Sequence, residues 1–487
     1  MKKYLNLVLL VFLTTAVLFA AGARSSSGTS SENITLKFLV TSAFYDLTSD
    51  LGWSVAQRVS GHTIDYENLS GTEQLMLIIS AGEPYDYVTL NVANYNLLMT
   101  EGALTDITDI LKQHGNNITS AITTVWPATT VNGRIFAIPC PVAQPDALQE
   151  SLLFRKDMID SAGISKATTA DEFYTMLTRI KTAYPDKIPL TIGNNIGPGG
   201  YFISNLASAF GIRGLWQENN GDVVHLLKLP GLRQYMEFVV RLYREGLLDP
   251  EMPALQQTAA QNKWASSQAV VLYSNWNGIE TPIGALRELQ PQMAYDIMPP
   301  FKDAQGNFAT ESRSGVGAYG GVPITSKYPV EAIKAVNNQI ELKNFTEIVL
   351  GIEGVHYRFT NGVYYPIEPA FTDQKINSNV FVQSFYREDV YPTMWEARLM
   401  KNDDLKWVFD NFKASLQGRG VHNPTSLAPA VTVIDNFAAL NNYVRDTLIA
   451  ITSGTRPLSE LDNLVQYWNN NGGTKVEEFY NTWYKNK

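Results

Sequence analysis

Five histidines, one cysteine and a scatter of acids are the groups with which this chain could do covalent or metal chemistry. His62, His114, His225, His356 and His422 stand far apart, so no H-E-x-x-H or similar spacing exists to hold zinc, and each histidine reads as structural. Cys140 is the sole cysteine; a disulfide framework or a Cys-rich zinc site within one chain is excluded, and the residue reads as a small buried hydrophobe. Neither the G-x-S-x-G of a nucleophile elbow nor a Walker A lysine occurs. Gly315-Val-Gly-Ala-Tyr-Gly320 fits G-x-G-x-x-G, but no apolar strand leads into it and Val322-Pro323 follows where a helix must open, so a flexible loop is expected and a nucleotide is not. A carboxylate pair is harder to dismiss, because a glycosidase needs only two acids about 5–10 Å apart in space. Glu353, between the glycines of Gly351-Ile-Glu-Gly-Val-His-Tyr357, is the candidate acid, with a hydrogen-bonded structural acid as the plainer reading.

Aromatic residues offer a different chemistry. Nine Trp and 24 Tyr are more than cores require, and several stand beside Asn, Gly or Pro at expected strand ends, as in Asn275-Trp276-Asn277, Val125-Trp126-Pro127, Gly362-Val-Tyr-Tyr365 and Tyr391-Pro-Thr-Met-Trp395. A sugar presents flat C–H faces that stack on such rings, while Asn, Asp and Arg bond its hydroxyls. Trp276 and Trp395 are therefore expected as stacking platforms, Tyr45, Tyr365 and Asn275 as lesser contacts, and Asp46, Asn91 and Arg313 as polar contacts. Trp468 and Trp483, in the terminal helices, are expected in the core.

These side chains must be positioned by elements that the periodicity predicts. Ile34 to Thr41 alternates like a strand, a helix runs through Trp53 and Val59, and His62 to Tyr66 is a second strand. Gln74 to Ser80 is helical and stops at Ala81-Gly82, Tyr85 to Leu90 is a third strand, and Val92 to Thr100 is helical again. This β-α-β-α-β order is the pattern of a parallel sheet covered on both faces, whose ligands sit beyond the carboxyl ends of its strands. Tyr45 and Asp46 follow the first strand and Asn91 the third.

A hairpin around Asn132-Gly133 and a Pro-rich bend from Pro139 to Pro145 precede a second alternating region. Its expected parts are strand Leu152–Arg155, helix Lys156–Ala162, a helix capped by Thr169 with Glu172 three later, strand Ile188–Ile192, helix Leu232–Glu245 closed by Gly246, and strand Ala269–Ser274. Two α/β lobes result. Residues 34–142, with a returning segment near 295–350, are expected to form one; residues 146–290, with a returning segment and C-terminal helices near 351–487, the other.

With 487 residues, 45% hydrophobic and 17% charged, the chain is large enough for both lobes and too polar overall for a membrane bundle. Lys2 and Lys3, the apolar run Leu5 to Ala21 and the small-x-small site Ala21-Gly22-Ala23 read as a cleaved secretory leader, residues 1–23. A Ser- and Gly-rich tether, 24–33, follows it. The formal charge is −9, and removing the two lysines takes it to about −11, which disfavours nucleic acid and anionic lipid as partners.

At Leu242-Tyr-Arg-Glu-Gly-Leu-Leu-Asp-Pro250 the sequence resembles the L-Y-x-E-G-L-I-D-P segment of family 1 extracellular solute-binding proteins, the large receptors of ABC sugar importers. Asn132-Gly-Arg-Ile-Phe-Ala-Ile-Pro139 is similar to their D-G-K-I-Y-G-I-P hairpin and Phe154-Arg-Lys-Asp-Met-Ile-Asp-Ser-Ala-Gly163 to their R-x-D-W-L-D-K-L-G helix. Gly351 to Tyr357 is similar to their G-x-E-G-x-x-Y loop, and Thr452 through Tyr484 to their C-terminal helices. The resemblance runs from about Ile34 to the end. It implies a two-lobed, hinge-linked periplasmic-binding-protein fold of type II-like architecture with added C-terminal helices, closing on a sugar or oligosaccharide and presenting it to ABC permease transmembrane subunits.

No catalysis and no cofactor are implied. Alginate receptors of this group carry a calcium loop resembling D-x-N-x-x-x-x-D-E, of which only Tyr184-Pro-Asp-Lys187 remains here, so no metal is expected. No cysteine lies near the cleavage site, so a periplasmic monomer without an N-terminal lipid is expected. The alternatives are a secreted carbohydrate-active hydrolase using a carboxylate pair, and a receptor of the same fold for another polar solute.

Overall fold

The computed structural model of the protein describes residues 34–41, 50–69, 72–195, 202–374, 382 and 384–487. The leader and tether, and Tyr45 and Asp46, lie outside the described residues.

The first strands are Thr35–Thr41 (β1), Thr63–Leu69 (β2), Tyr87–Leu90 (β3) and Ala137–Pro141 (β4). Glu150–Arg155 (β5), Ile188–Thr191 (β6), Ala269–Asn275 (β7) and Tyr295–Ile297 (β8) follow, and then Val316–Gly321 (β9). They form a five-stranded sheet in the order β2-β1-β3-β9-β4 and a four-stranded sheet in the order β8-β5-β7-β6. β1 pairs parallel with both β2 and β3, while β9 runs antiparallel to β3 and β4. In the second sheet β7 is antiparallel to β5 and parallel to β6. β3 and β4 are buried along their whole length, as is β7 up to Ser274, so neither face of these strands meets water, as their largely apolar sequences require.

Local rules account for the connections. Asn132 and Gly133 both take positive φ, 51° and 76°, the twist that a two-residue turn between Thr130–Val131 and Arg134–Ile135 requires. The Thr169 hydroxyl accepts from the Glu172 backbone N–H at 3.2 Å and starts helix Ala170–Ala183. Helix Leu232–Arg244 buries Leu232, Tyr235, Met236, Val239 and Leu242 on one stripe, and Gly246 leaves it with φ 64°. A core beneath the second sheet joins Phe154, Leu190, Tyr273 and that stripe to Val444, Leu448, Leu464 and Trp468 of the C-terminal helices. A separate core beneath the first sheet joins Leu39, Val88, Leu90, Tyr95 and Tyr319.

Two expectations are corrected. Gly315 to Gly320 is not a flexible loop, since most of it is strand β9 inside the first sheet. Its glycines serve close packing: a Cβ on Gly320 would sit 1.7 Å from the Tyr87 hydroxyl, and one on Gly321 2.8 Å from the Leu104 side chain. Trp468 is fully buried, but Trp483 is only partly buried, with Lys487 Nζ 5.5 Å from its ring centroid.

The chain passes between the sheets after β4 and again before β9, and the two passes are bonded together. Arg313 N–H donates to Ala147 O at 3.0 Å, Asp146 N–H to Arg313 O at 3.0 Å, and Val142 N–H to Gly315 O at 3.0 Å.

Candidate functional site

A cleft of about 500 Å³ opens where the ends of the two sheets approach each other. Thr89 to Asn91 at the end of β3, Cys140 to Ala143 at the end of β4, and Gly317 and Ala318 of β9 form one wall. Trp276, Asn277 and Glu280, just past β7, form the opposite wall, and residues from Tyr386 to Leu405 close one side. Four residues singled out by the sequence therefore come together here: Asn91, Trp276, Arg313 and Trp395.

β7 ends in extended backbone at Asn275 and a tight turn, Trp276–Gly278. Trp276 N–H donates to Gln149 O at 3.2 Å, fixing that turn to the first pass between the sheets. The indole of Trp276 meets that of Trp395 edge on, centroids 5.1 Å apart and planes at 82°, and both contact Phe409 at 5.4 Å. The two indoles are 7% and 6% exposed, so each offers the cleft a limited part of its surface and they do not form parallel platforms.

The segment carrying Trp395 has its own periodicity. Helix Tyr391–Glu396 gives way to turns in which Ala397 N–H bonds Met394 O, Arg398 N–H bonds Trp395 O, and Leu399 N–H bonds Glu396 O. Bonds to the third preceding residue bring residues three apart onto one face. Trp395, Arg398 and Lys401 accordingly share the cleft. Sequence reasoning missed Arg398 and Lys401, although the three-residue spacing from Trp395 was the available signal.

Arg313 lines the cleft and also a smaller recess of about 210 Å³ behind it, which holds Glu150 and Glu311. Burial lowers the Arg313 pKa, while Tyr386 and Glu150 favour its cation. Burial pushes Glu150 up to about 7, with Arg313 opposing and Glu311 adding to the shift. Glu311 is also pushed up to about 7 by burial, with a hydrogen bond from Asn423 opposing.

The other expected contacts lie elsewhere or are already engaged. Asn91 caps helix Val92–Thr100, its Oδ1 accepting from Asn94 N–H at 2.8 Å, which leaves its amide N–H groups and one lone pair of Oδ1 for a ligand. Asn275 is not on the cleft wall: its Oδ1 faces Gln261 Nε2 at 3.5 Å. Tyr365 sits on the hairpin of Tyr357–Thr360 and Val363–Pro366 under the Arg358 guanidinium, outside the cleft. Glu353 is exposed on the turn before that hairpin and is not in the cleft either. Among the described residues, no group of three His, Cys, Asp or Glu side chains gathers to hold a metal ion, and no helix is long and apolar enough to cross a membrane.

Residues 42–340 match the family described as bacterial extracellular solute-binding protein. An uncharacterized protein in the butB 5' region of Niallia circulans is 30% identical over 255 residues, 52% of this chain and 99% of the relative. A carbohydrate ABC transporter substrate-binding protein of Streptococcus pneumoniae is 23% identical over 297 residues, 60% of this chain and 57% of the relative. Among solved structures, the S. pneumoniae ABC-transporter substrate-binding protein FusA in complex with kestose is 16% identical, with a TM-score of 0.71 over 93% of this chain and 99% of that one. The two-sheet architecture is thus the two-lobed fold of solute-binding proteins.

Proposed function

The chain belongs to the bacterial extracellular solute-binding protein family, and from that premise we propose that it is the substrate-binding component of an ABC importer, capturing a sugar or oligosaccharide and delivering it unaltered to membrane permease subunits. The observation that carries the reading is the cleft itself, where indoles and hydrogen-bonding side chains from both sheets face one space of about 500 Å³. The carbohydrate assignment of the S. pneumoniae relative supports the ligand class. The candidate contacts are Trp276, Trp395, Asn91 and Arg313, with Tyr45 and Asp46 as further sequence-based candidates. The protein acts as an exported monomer, released into the periplasm by cleavage of its leader and without an N-terminal lipid.

Ligand between the lobes shifts a hinge equilibrium by its preference for the closed state. A micromolar Kd corresponds to about −8 kcal/mol. Two ring contacts at roughly 0.5–1.5 kcal/mol each fall short, so hydrogen bonds and buried area supply the remainder. The hydrolase alternative loses its candidate acid, because Glu353 is exposed outside the cleft.

Calorimetry with purified protein and an oligosaccharide panel, followed by chromatography of the sugars, tests the reading. Saturable binding with every sugar recovered intact is expected; cleaved products would overturn it.

A further inference from the structure

We propose that the ligand of this cleft is an acidic oligosaccharide, one whose sugars carry carboxylate or sulfate groups that are met by Arg313, Arg398 and Lys401. This rests on the sugar-receptor reading above and goes beyond it by fixing the charge of the ligand.

Three cationic side chains line the cleft against one acid, Glu280. The local balance is therefore positive in a chain whose formal charge is −9. Among the described residues, none of the three cations has a carboxylate oxygen within 4 Å. Glu150, in the recess behind the cleft, favours the Arg313 cation from farther off, and Arg398 and Lys401 have no such acid facing them from the cleft wall but Glu280. Neighbouring cations stand in ion pairs: Arg287 with Asp404, Arg387 with Asp389, and Lys263 with Asp249. Unpaired cations on an open surface are unremarked, but these face a space that a closing receptor empties of water. Charges taken from water without partners are costly, and cost most when the surroundings are apolar. Trp276, Trp395 and Leu405 supply such surroundings here. A neutral sugar leaves the imbalance in place; a carboxylate or sulfate supplies the missing counter-charge, and an arginine fork meets it through two parallel N–H bonds.

The arrangement also separates functions along the segment. The three-residue turns place Trp395 one step from Arg398 and two from Lys401 on the same face. One sugar ring against the indole would put a charged substituent of that ring, or of the next, beside the guanidinium. The excess positive charge further favours encounter with anionic ligands, an effect that rising salt weakens.

The test is calorimetry with the full mature chain and two matched panels. Oligogalacturonates, alginate oligomers and chondroitin sulfate disaccharides carry the charge; galactan, glucan and xylan oligomers of equal length do not. At least one acidic probe is expected to bind tenfold or more tightly than every neutral one, with affinity falling as salt rises. Carboxylate and sulfate probes distinguish the two sources of charge. Arg398→Gln and Lys401→Gln are each expected to reduce the preference for acidic over neutral sugar by roughly tenfold, with unfolding midpoints measured alongside to confirm that both variants fold. Neutral oligosaccharides binding as tightly as acidic ones, or a preference unmoved by both substitutions, would overturn the charge inference and leave the sugar-receptor reading standing. Binding of no oligosaccharide from either panel would overturn both.

Discussion

Trp276 and Trp395 meet edge to face, with ring centroids 5.1 Å apart and planes at 82°. One comes from the end of a strand in the second sheet; the other belongs to a segment that also contributes Tyr386 to the cleft wall beside Cys140 of the first sheet. The pair is therefore both a piece of core and a piece of the binding surface, and substitutions in it act on stability and affinity together.

Replacing Trp276 or Trp395 with alanine is expected to destabilise the ligand-free protein by about 3–5 kcal/mol, the usual cost of emptying a buried large aromatic site. A double-mutant cycle on the pair should give a coupling of about 0.5–1.5 kcal/mol, read from urea denaturation. Losses below about 1 kcal/mol for both single variants would mean that the rings are not part of a packed cluster.

Gly320→Ala should be among the most damaging small substitutions. The added methyl would lie 1.7 Å from the Tyr87 hydroxyl, 2.5 Å from its Cζ and 3.2 Å from Ser384 Cβ, and Tyr87 is itself buried, 2% exposed. Overpacking of this kind costs roughly 1–3 kcal/mol or more. Gly133→Ala provides a contrast: nothing stands within 4 Å of its added methyl, and only its φ of 76° is strained. Equal loss at the two positions in thermal unfolding would contradict the packing argument.

Glu150 and Glu311 make stability fall as pH rises. Both are held up at about 7 in the folded chain, from an ordinary 4.5, so folding favours their protonated forms. Their contribution is fully present below about pH 4.5 and is lost as pH climbs through about 7. Denaturation midpoints between pH 5 and pH 8 should decline less steeply in Glu150→Gln and Glu311→Gln than in the unaltered protein. Identical slopes in all three proteins would remove the recess from the pH response.

His225 works in the opposite direction over an overlapping window. Burial, with Lys228 adding, pushes it down to about 3 from 6.5, and its ring stacks on Trp468 at 4.0 Å. The stability it contributes is present above about pH 6.5 and is lost as pH falls towards 3. His225→Phe is expected to keep the ring stack and resist acid better, relative to its own neutral-pH stability, when unfolding is followed from pH 7 to pH 4. A variant with unaltered acid sensitivity would show that protonation lies elsewhere.

Much of the fold was legible because its signals are local. The alternation of strands and helices, the Asn132-Gly133 turn and the Thr169 cap depend on backbone geometry within a few residues, and each stands where the periodicity placed it. The strand at Val316–Gly321 was not legible: glycines weaken any local strand preference, and only its neighbours Tyr87 and Leu104 explain them. Tyr365 and Asn275 were read as ligand contacts from their composition and place at strand ends, yet the hairpin holds Tyr365 off the cleft wall and Asn275, the last residue of β7, faces Gln261 instead.

The sequence by itself determined two α/β units, a family resemblance, and an aromatic-rich chain without the spacing for zinc or nucleotide chemistry. Only the tertiary structure decided which distant residues share one space: Asn91, Cys140, Trp276, Arg313 and Arg398 belong to separate stretches of chain and meet solely because two sheets present their ends to each other. It also decided the sign of that space. Periodicity reports whether a residue is buried, but the partner it is buried against depends on contacts closed over long loops, which no short window of sequence contains.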